Sequence, residues 1–254
     1  MFHRLQRLRA ESPRLLIWLA LLHAAVLGLA VWKICAGRWG HVGLCLLTLL
    51  LFQAPPLTEV LTKLRVPPLL EAAVTAFAFC ANILGEMLGF YLRFLWWDAA
   101  LHVLWGFLAG LLGCAFLQAL QGQPLKRPAS ALTALGFAAL TGICWEFFEF
   151  AMDGLFHMDM QKDVWLHSVS SLLLTKEGAN AAVTEAIETV TVNGEAWPGI
   201  PDVGLRDTIS DLFLNFIGSL PAAALLLSDG RGGRRTGLPE KLMPTPFGDG
   251  KDRK

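Results

Sequence analysis

Seven side chains able to do chemistry sit in or at the ends of stretches that are otherwise apolar: Asp98 and His102, then Glu146, Glu149 and Asp153, then Asp207 and Asp211, followed by Asn215. Ionisable groups inside membrane-like segments are costly, so each marks a functional site by default. Within each set the spacing is three or four residues, which places its members on one face of a helix. Six carboxylates and one imidazole meeting in a partly dry site cannot all ionise unaided, because two acids sharing a site already drive one pKa upward. Protons or metal ions must balance them. A donor set of mostly oxygen with one His suits Mg, Mn or Ca, or an iron or manganese pair, whereas zinc normally takes more imidazole or sulfur. A divalent metal is expected, its identity among Mg, Mn, Ca, Fe and Zn open, and two ions sharing bridging carboxylates would activate water and clamp a phosphoryl group. Two rival readings stand beside the metal site: a proton or ion relay, and a structural acidic network. Asp98, Asp153 and Asp207 lie near helix ends, where water solvates an acid and Asp207 also favours the helix dipole. Glu146, Glu149 and Asp211 lie deeper in their apolar runs.

The elements that must position these residues follow from composition. The chain has 254 residues, 54% apolar and only 17% charged, against about 25% charged in soluble domains. Six apolar stretches can be read, over residues 14–33, 41–55, 69–91, 97–119, 129–152 and 207–228; at about 20 residues per crossing each can span a bilayer. The expected fold is all-α, a polytopic bundle of six transmembrane helices over residues 1–228, with a disordered cytoplasmic tail over 229–254 rich in Gly, Pro, Lys and Arg. The basic start, Arg4, Arg7 and Arg9, resembles a signal peptide, but the apolar run after it is long enough to remain as an anchor. With the N-terminus cytoplasmic, 15 of the 21 Lys and Arg residues fall in inside segments, so both termini are expected inside, in the cell (inner) membrane. Zero net charge argues against nucleic acid as a partner; membrane lipid is the partner expected, with the oligomeric state open. Five cysteines, all within apolar stretches and without C-x-x-C spacing, read as small buried hydrophobes.

Small residues continue the polar stripes: Gly106, Gly110 and Gly113 after His102, Gly218 and Ala222 after Asp211, and Gly142 and Ala139 before Glu146. Such spacing lets membrane helices approach closely, so these faces are expected to meet and bring the acids with them. The loop-charge orientation independently puts all three acidic sets, with Glu86 near them, at the outer end of their helices. The 154–206 connection is too long to be idle. Its apolar patch Val164 to Leu174 suits the outer membrane surface, and Asn193-Gly194 after the β-branched run Thr189 to Val192 signals a hairpin. A short helix and a hairpin are therefore expected to cap the outer face, with His157, Asp159, Asp163 and His167 placed to join the site as a lid. Trp96, Trp97 and Tyr91 fit an interfacial belt; Trp145 is expected against the site. His3, His23 and His41 are isolated.

The runs WWDAALHVLWGFLAGLLG, GICWEFFEFAMDGLF, MDMQKD and DVGLRDTISDLFLNFIGS resemble, in order, the blocks that mark the YjdF-like family of bacterial inner-membrane proteins, more distantly akin to VanZ-like membrane proteins. The likeness covers about residues 70 to 228. It picks out Asp98, His102, Glu146, Glu149, Asp153, Gln161, Asp207, Asp211 and Gly218, and places this chain with the members that have a long segment between Gln161 and Asp207. The resemblance implies a multi-spanning membrane protein with these acids as its hallmark, and no activity. The expected function is a metal-dependent enzyme on a lipid or lipid-linked phosphate. In it Asp98, His102, Glu146, Glu149, Asp207 and Asp211 are ligands or bases, and Asp153 and Gln161 orient water or substrate. The alternatives are an ion- or proton-coupled transporter, against which no inverted repeat is visible, and a structural membrane protein.

Overall fold

The computed structural model describes residues 2–62, 64–175 and 180–228, together with Leu242, Thr245 and Pro246. Most of the tail expected to be disordered lies outside them. The described residues divide into two compact units, Met1–Gly142 with Leu214–Lys254, and Ile143–Phe213. Six helical segments are long and apolar enough to cross a membrane: Pro13–Cys35, Trp39–Thr62, Pro68–Met87, Trp97–Gln121, Arg127–Phe156 and Leu205–Ser228. Many carry large apolar side chains on exposed faces, among them Ile17, Leu21, Leu50, Leu132 and Phe213, the inverse of a water-soluble helix and suited to contact with lipid. The fold is an all-α membrane bundle.

In the first unit, α1 (Phe2–Glu11) precedes α2 (Pro13–Cys35), which opens on Pro13 where a missing N–H costs nothing and ends near Gly37 at φ 67. The second span outruns its expected end. α3 (Trp39–Leu51) breaks only at Phe52 and Gln53, and α4 (Ala54–Thr62) resumes with Pro55 and Pro56 inside its first turn, a position that tolerates proline. After β1 (Leu64–Arg65), α5 (Pro68–Phe79) passes into a π-helical turn over Cys80–Met87. There the Leu88 N–H reaches the Ile83 carbonyl at 3.0 Å, and Gly85 lies so close to the Tyr91 ring that any Cβ would overlap it. Gly89, at φ 71, leads into the short α6 (Phe90–Arg93), and α7 (Trp97–Gln121) ends on Gly122 at φ 67. Thr245–Pro246, β8, pairs antiparallel with β1.

Two buried clusters hold this unit. One joins Leu22, Val26 and Ala30 of α2 to Cys45, Phe52, Ala78, Ile83 and Met87. The other joins Leu70 of α5 and Leu108, Leu111 and Cys114 of α7 to Ala134, Ala222, Leu226 and Leu242. Around the second, the expected small-residue faces meet. A Cβ on Gly106 would run into the Asn215 carbonyl, one on Gly218 into the Val103 carbonyl, and one on Gly110 would lie 3.2 Å from Ala222 Cβ and 3.3 Å from Ala134 Cβ. Asn215 Nδ2 donates to the Ala138 carbonyl at 2.9 Å. Within Arg127–Phe156, α8, the buried stripe is Ala134, Ala138 and Gly142, with Ala139 only partly buried. All five cysteines lie in spans and none is bridged.

Four charges, two of them from the basic start of the chain, form a buried group. Glu59 accepts from Arg4 Nε at 3.1 Å, from Arg7 Nη2 at 2.8 Å and from the Val66 N–H at 3.0 Å, while Arg4 Nη2 also holds Glu71. Both acids are almost fully buried, so each depends on its arginine for neutrality. Arg4→Met should leave Glu71 uncompensated and destabilise the bundle by about 3–5 kcal/mol, read as a lower thermal midpoint in detergent. Gly218→Ala should also lower that midpoint, by overpacking worth about 1–3 kcal/mol. Gly28→Ala, where the Cβ meets nothing within 4 Å, should leave it unchanged or raise it.

Candidate functional site

The second unit consists of the end of α8, strands β2 (Trp165–Leu166) to β7 (Ile200–Pro201), and the start of α9 (Leu205–Ser228). At the end of α8 the usual amphipathic logic is inverted. Glu146 and Glu149, 4% and 8% exposed, point inward, while Trp145, Phe147, Phe148 and Phe150 are exposed. Trp145 lies 5.3 Å, centroid to centroid, from Phe148, so the ring expected against the site stacks on the outward aromatic face. α9 repeats the pattern, with Asp211 at 4% exposure and Ile209 and Phe213 outward. Acids facing in and rings facing out are what a lipid surround selects.

Glu146, Glu149 and Asp211 come together. Each offers a carboxylate oxygen, and these oxygens lie within 4.8 Å of one another. Oxygens on a cation at about 2.1–2.4 Å can be no more than about 4.2–4.8 Å apart, so the spread fits a single Mg, Mn or Ca ion. Gln161 reaches the same group: its Nε2 lies 2.7 Å from Thr208 Oγ1 and 3.5 Å from Glu146 Oε2.

Three further acids of this unit fasten the chain leaving α8. Asp153 accepts the N–H groups of Met160 at 2.7 Å and Gln161 at 2.9 Å, Asp207 that of Lys162 at 2.9 Å, and Asp202 those of Val164 and Arg206, both at 3.0 Å. Residues 160–164 thus form a strap whose backbone donors are taken up by carboxylates. Gly204, at φ 77, allows the strap to lie close: a Cβ there would overlap Gln161 Cβ and approach its carbonyl oxygen. Sequence reasoning found Gln161 only through a resemblance and missed Thr208 and Asp202. The signals were present, since Thr208 lies three residues before Asp211 on one helical face, and Asp202-x-Gly204 directly precedes a helix.

His157, Asp159, Asp163 and His167 are all exposed. Although Asp163 is exposed, partial desolvation by the neighbouring chain, then the charges of Asp159 and Asp202, raise its pKa above 3.8, with a smaller push from Asp153, against a lowering Gly204 backbone hydrogen bond. For Asp202 burial also acts upward. The hydrogen bonds from Val164, Arg206 and Gly204, with the Arg206 guanidinium, outweigh it and hold the carboxyl below 3.8.

Beyond the strap the segment is extended rather than helical. β2 pairs with β7, and β3 (Ser168–Ser171), which runs on into a 3-10 turn at Leu172–Leu174, pairs with β4 (Val183–Ala186). β5 (Val190–Val192) and β6 (Glu195–Trp197) form a hairpin through Asn193 and Gly194, at φ 53 and 87, the left-handed pair that tight hairpins use.

Asp98 and His102 belong to the first unit, at the start of α7. Asp98 Oδ1 and His102 Nε2 lie 3.7 Å apart across one turn. Trp97 stacks edge-on against Phe90 and lies at 5.6 Å from Trp96. Glu86, in the π-helical turn, is exposed.

A family profile described as "Predicted membrane protein (DUF2238)" matches residues 14–230, a range that takes in the six spans from Arg14 onward, the strap and every acid of the candidate site. No curated protein and no solved structure matches the chain.

The strap responds to pH in two opposite ways. Asp202 contributes stability above 3.8, lost as the pH falls through its lower folded value. Asp202→Asn should therefore speed amide exchange at Val164 and Arg206 at neutral pH and change nothing at pH values below that range. The charge of Asp163 costs stability once the pH rises past 3.8 and through its raised folded value. Asp163→Asn should slow the same exchange at neutral pH and leave it unaltered in acid.

Proposed function

The chain belongs to the family described as predicted membrane protein (DUF2238), and we propose that Glu146, Glu149 and Asp211 form a divalent-cation site serving hydrolysis of a lipid or lipid-linked phosphate. Within that family, the likeness of its blocks to YjdF-like proteins is our finer grouping. The reading rests on one observation: three buried carboxylates from two helices lie within 4.8 Å of one another. Water cannot neutralise them where they are, and a hard cation with oxygen ligands fits both their chemistry and their spacing. Such an ion would lower the pKa of a bound water and stabilise charge on a phosphoryl oxygen.

The chain's own groups supply the rest. Gln161, anchored through Thr208, presents its amide beside Glu146, where it can orient a water or a substrate oxygen. Asp153 acts through Gln161 by holding its backbone N–H, which makes it a positioning residue. Asp207 fixes Lys162 and is a further ligand candidate. The Asp98–His102 dyad is a second titratable pair, suited to moving a proton. By the distribution of Lys and Arg, both termini lie in the cytoplasm and the acids face the extracytoplasmic side of the cell membrane.

Proton-coupled transport is the rival reading, favoured by the all-carboxylate character of the buried trio, which can bind protons as well as cations. Elemental analysis of the purified protein separates the two. Under the cation reading about one or two divalent ions per chain should copurify. Glu146→Gln and Asp211→Asn should lower that affinity by well over tenfold without unfolding the bundle, and Gln161→Ala by about 10–100-fold. Proteoliposomes that show pH-dependent flux without bound metal would support the transporter. Neither metal nor flux, with the variants merely less stable, would leave a structural network.

A further inference from the structure

Three consecutive leucines lead out of β3 on one 3-10 turn and stand in the open: Leu172, Leu173 and Leu174 are 58%, 94% and 44% exposed. The two strands carry Glu185 as their one charge and the polar pair Ser170 Oγ and Thr184 Oγ1 at 2.7 Å. The strands are therefore suited to water and the leucine turn is not. At the root, Trp165 and Trp197 stand edge to face, their centroids 5.8 Å apart, and both are exposed. That root adjoins the strap and the start of α9. Trp165 follows the strap residue Val164, whose N–H is held by Asp202, and pairs with Pro201, four residues before α9 begins.

We propose that the Leu172–Leu174 turn and the Trp165–Trp197 pair form a lipid-binding finger, lying in the headgroup and upper acyl region of the bilayer that the helices span. Three arguments choose lipid over a protein partner. The segment leaves one apolar span and re-enters another, so the bilayer is always within reach: from Leu166 to Leu173 is at most about 25 Å of extended chain. An anchored chain also loses no translational freedom on reaching its own membrane, so a small apolar surface suffices, whereas a stable protein interface needs about 800 Å² per partner. Finally, exposed leucines and tryptophans on one short segment outside the spans are the side chains that partition into the interface.

The wild-type chain in phosphatidylcholine vesicles tests this, using a phosphatidylcholine whose acyl tail carries a diazirine, followed by trypsin and mass spectrometry. Cleavage after Lys162 and Lys176 releases Asp163–Lys176, a peptide holding Trp165 and all three leucines and no residue of a span. Lipid adducts on Leu172–Leu174 are expected. Replacing the three leucines with serine should cut labelling of those positions about tenfold or more, since each leucine contributes at least that preference for apolar surroundings, while labelling of the spans stays constant. A peptide free of adducts beside labelled spans would overturn the proposal. So would photo-leucine, incorporated by cells and activated in native membranes, that joins this peptide to another polypeptide rather than to phospholipid. Because the readout involves neither metal nor hydrolysis, it stands or falls apart from the cation site.

Discussion

Charge has to be neutralised wherever water is scarce, and that constraint organises this protein. Two groups of buried acids meet it. In the first unit Glu59 and Glu71 are held by Arg4 and Arg7, a neutral set of two acids and two bases with N···O distances of 2.5–3.1 Å. Removing either partner from such a set is far more costly than never burying it, so the short α1 is fixed to the bundle by the acids it covers. In the second unit Glu146, Glu149 and Asp211 approach one another instead, three like charges within 4.8 Å. Acids brought together in this way hold a proton or a cation far more readily than isolated ones, which is the physical core of the cation reading.

The strap solves a different problem, that of backbone donors leaving a helix. Residues 160–164 run beside α8 and α9 without a long strand of their own, and carboxylates from both helices and from Asp202 accept their N–H groups. The same acids hold an unfavourable backbone. Val203, β-branched and at φ 56, sits in a region that costs such a residue about 1–3 kcal/mol. It stays there because Asp202 on one side bridges Val164 and Arg206, while Gly204 on the other makes room for Gln161. Two roles are thus divided among the carboxylates: the half-buried Asp153, Asp202 and Asp207 hold backbone, and the buried Glu146, Glu149 and Asp211 face each other.

Much of this was legible in the sequence, for physical reasons. A span needs only length and apolarity, so all six were visible, and i, i+3 and i+4 spacing sufficed to put Glu146 with Glu149 and to bring the glycine faces of α7 and α9 together. What stayed hidden depended on contacts distant along the chain. Arg4 and Arg7 are 52 to 67 residues from their acids and read as ordinary basic flanks. The π-helical turn over Cys80–Met87 has the hydropathy of any span. Pro55 and Pro56 read as a stop, yet in the first turn of a helix a proline is permitted. The β3 strand, Ser-Val-Ser-Ser, is short and runs straight on into three leucines, so an apolar run passed for a helix.

Gln161 is where the two roles of the acids touch. Its backbone N–H is fixed by Asp153 at 2.9 Å and its side-chain amide by Thr208 at 2.7 Å, while the 3.5 Å to Glu146 is at the limit of a hydrogen bond. The residue is therefore held by the strap and by α9, and Glu146 contributes little to holding it. A ligand that draws Glu146 toward Glu149 and Asp211 would lose almost nothing by releasing that amide, which then remains in place to meet whatever approaches the acids. The strap's position does not depend on the charge state of the trio, because Asp153, Asp207 and Asp202 hold it independently. The bonds that fasten residues 160–164 are thus made by acids other than the trio.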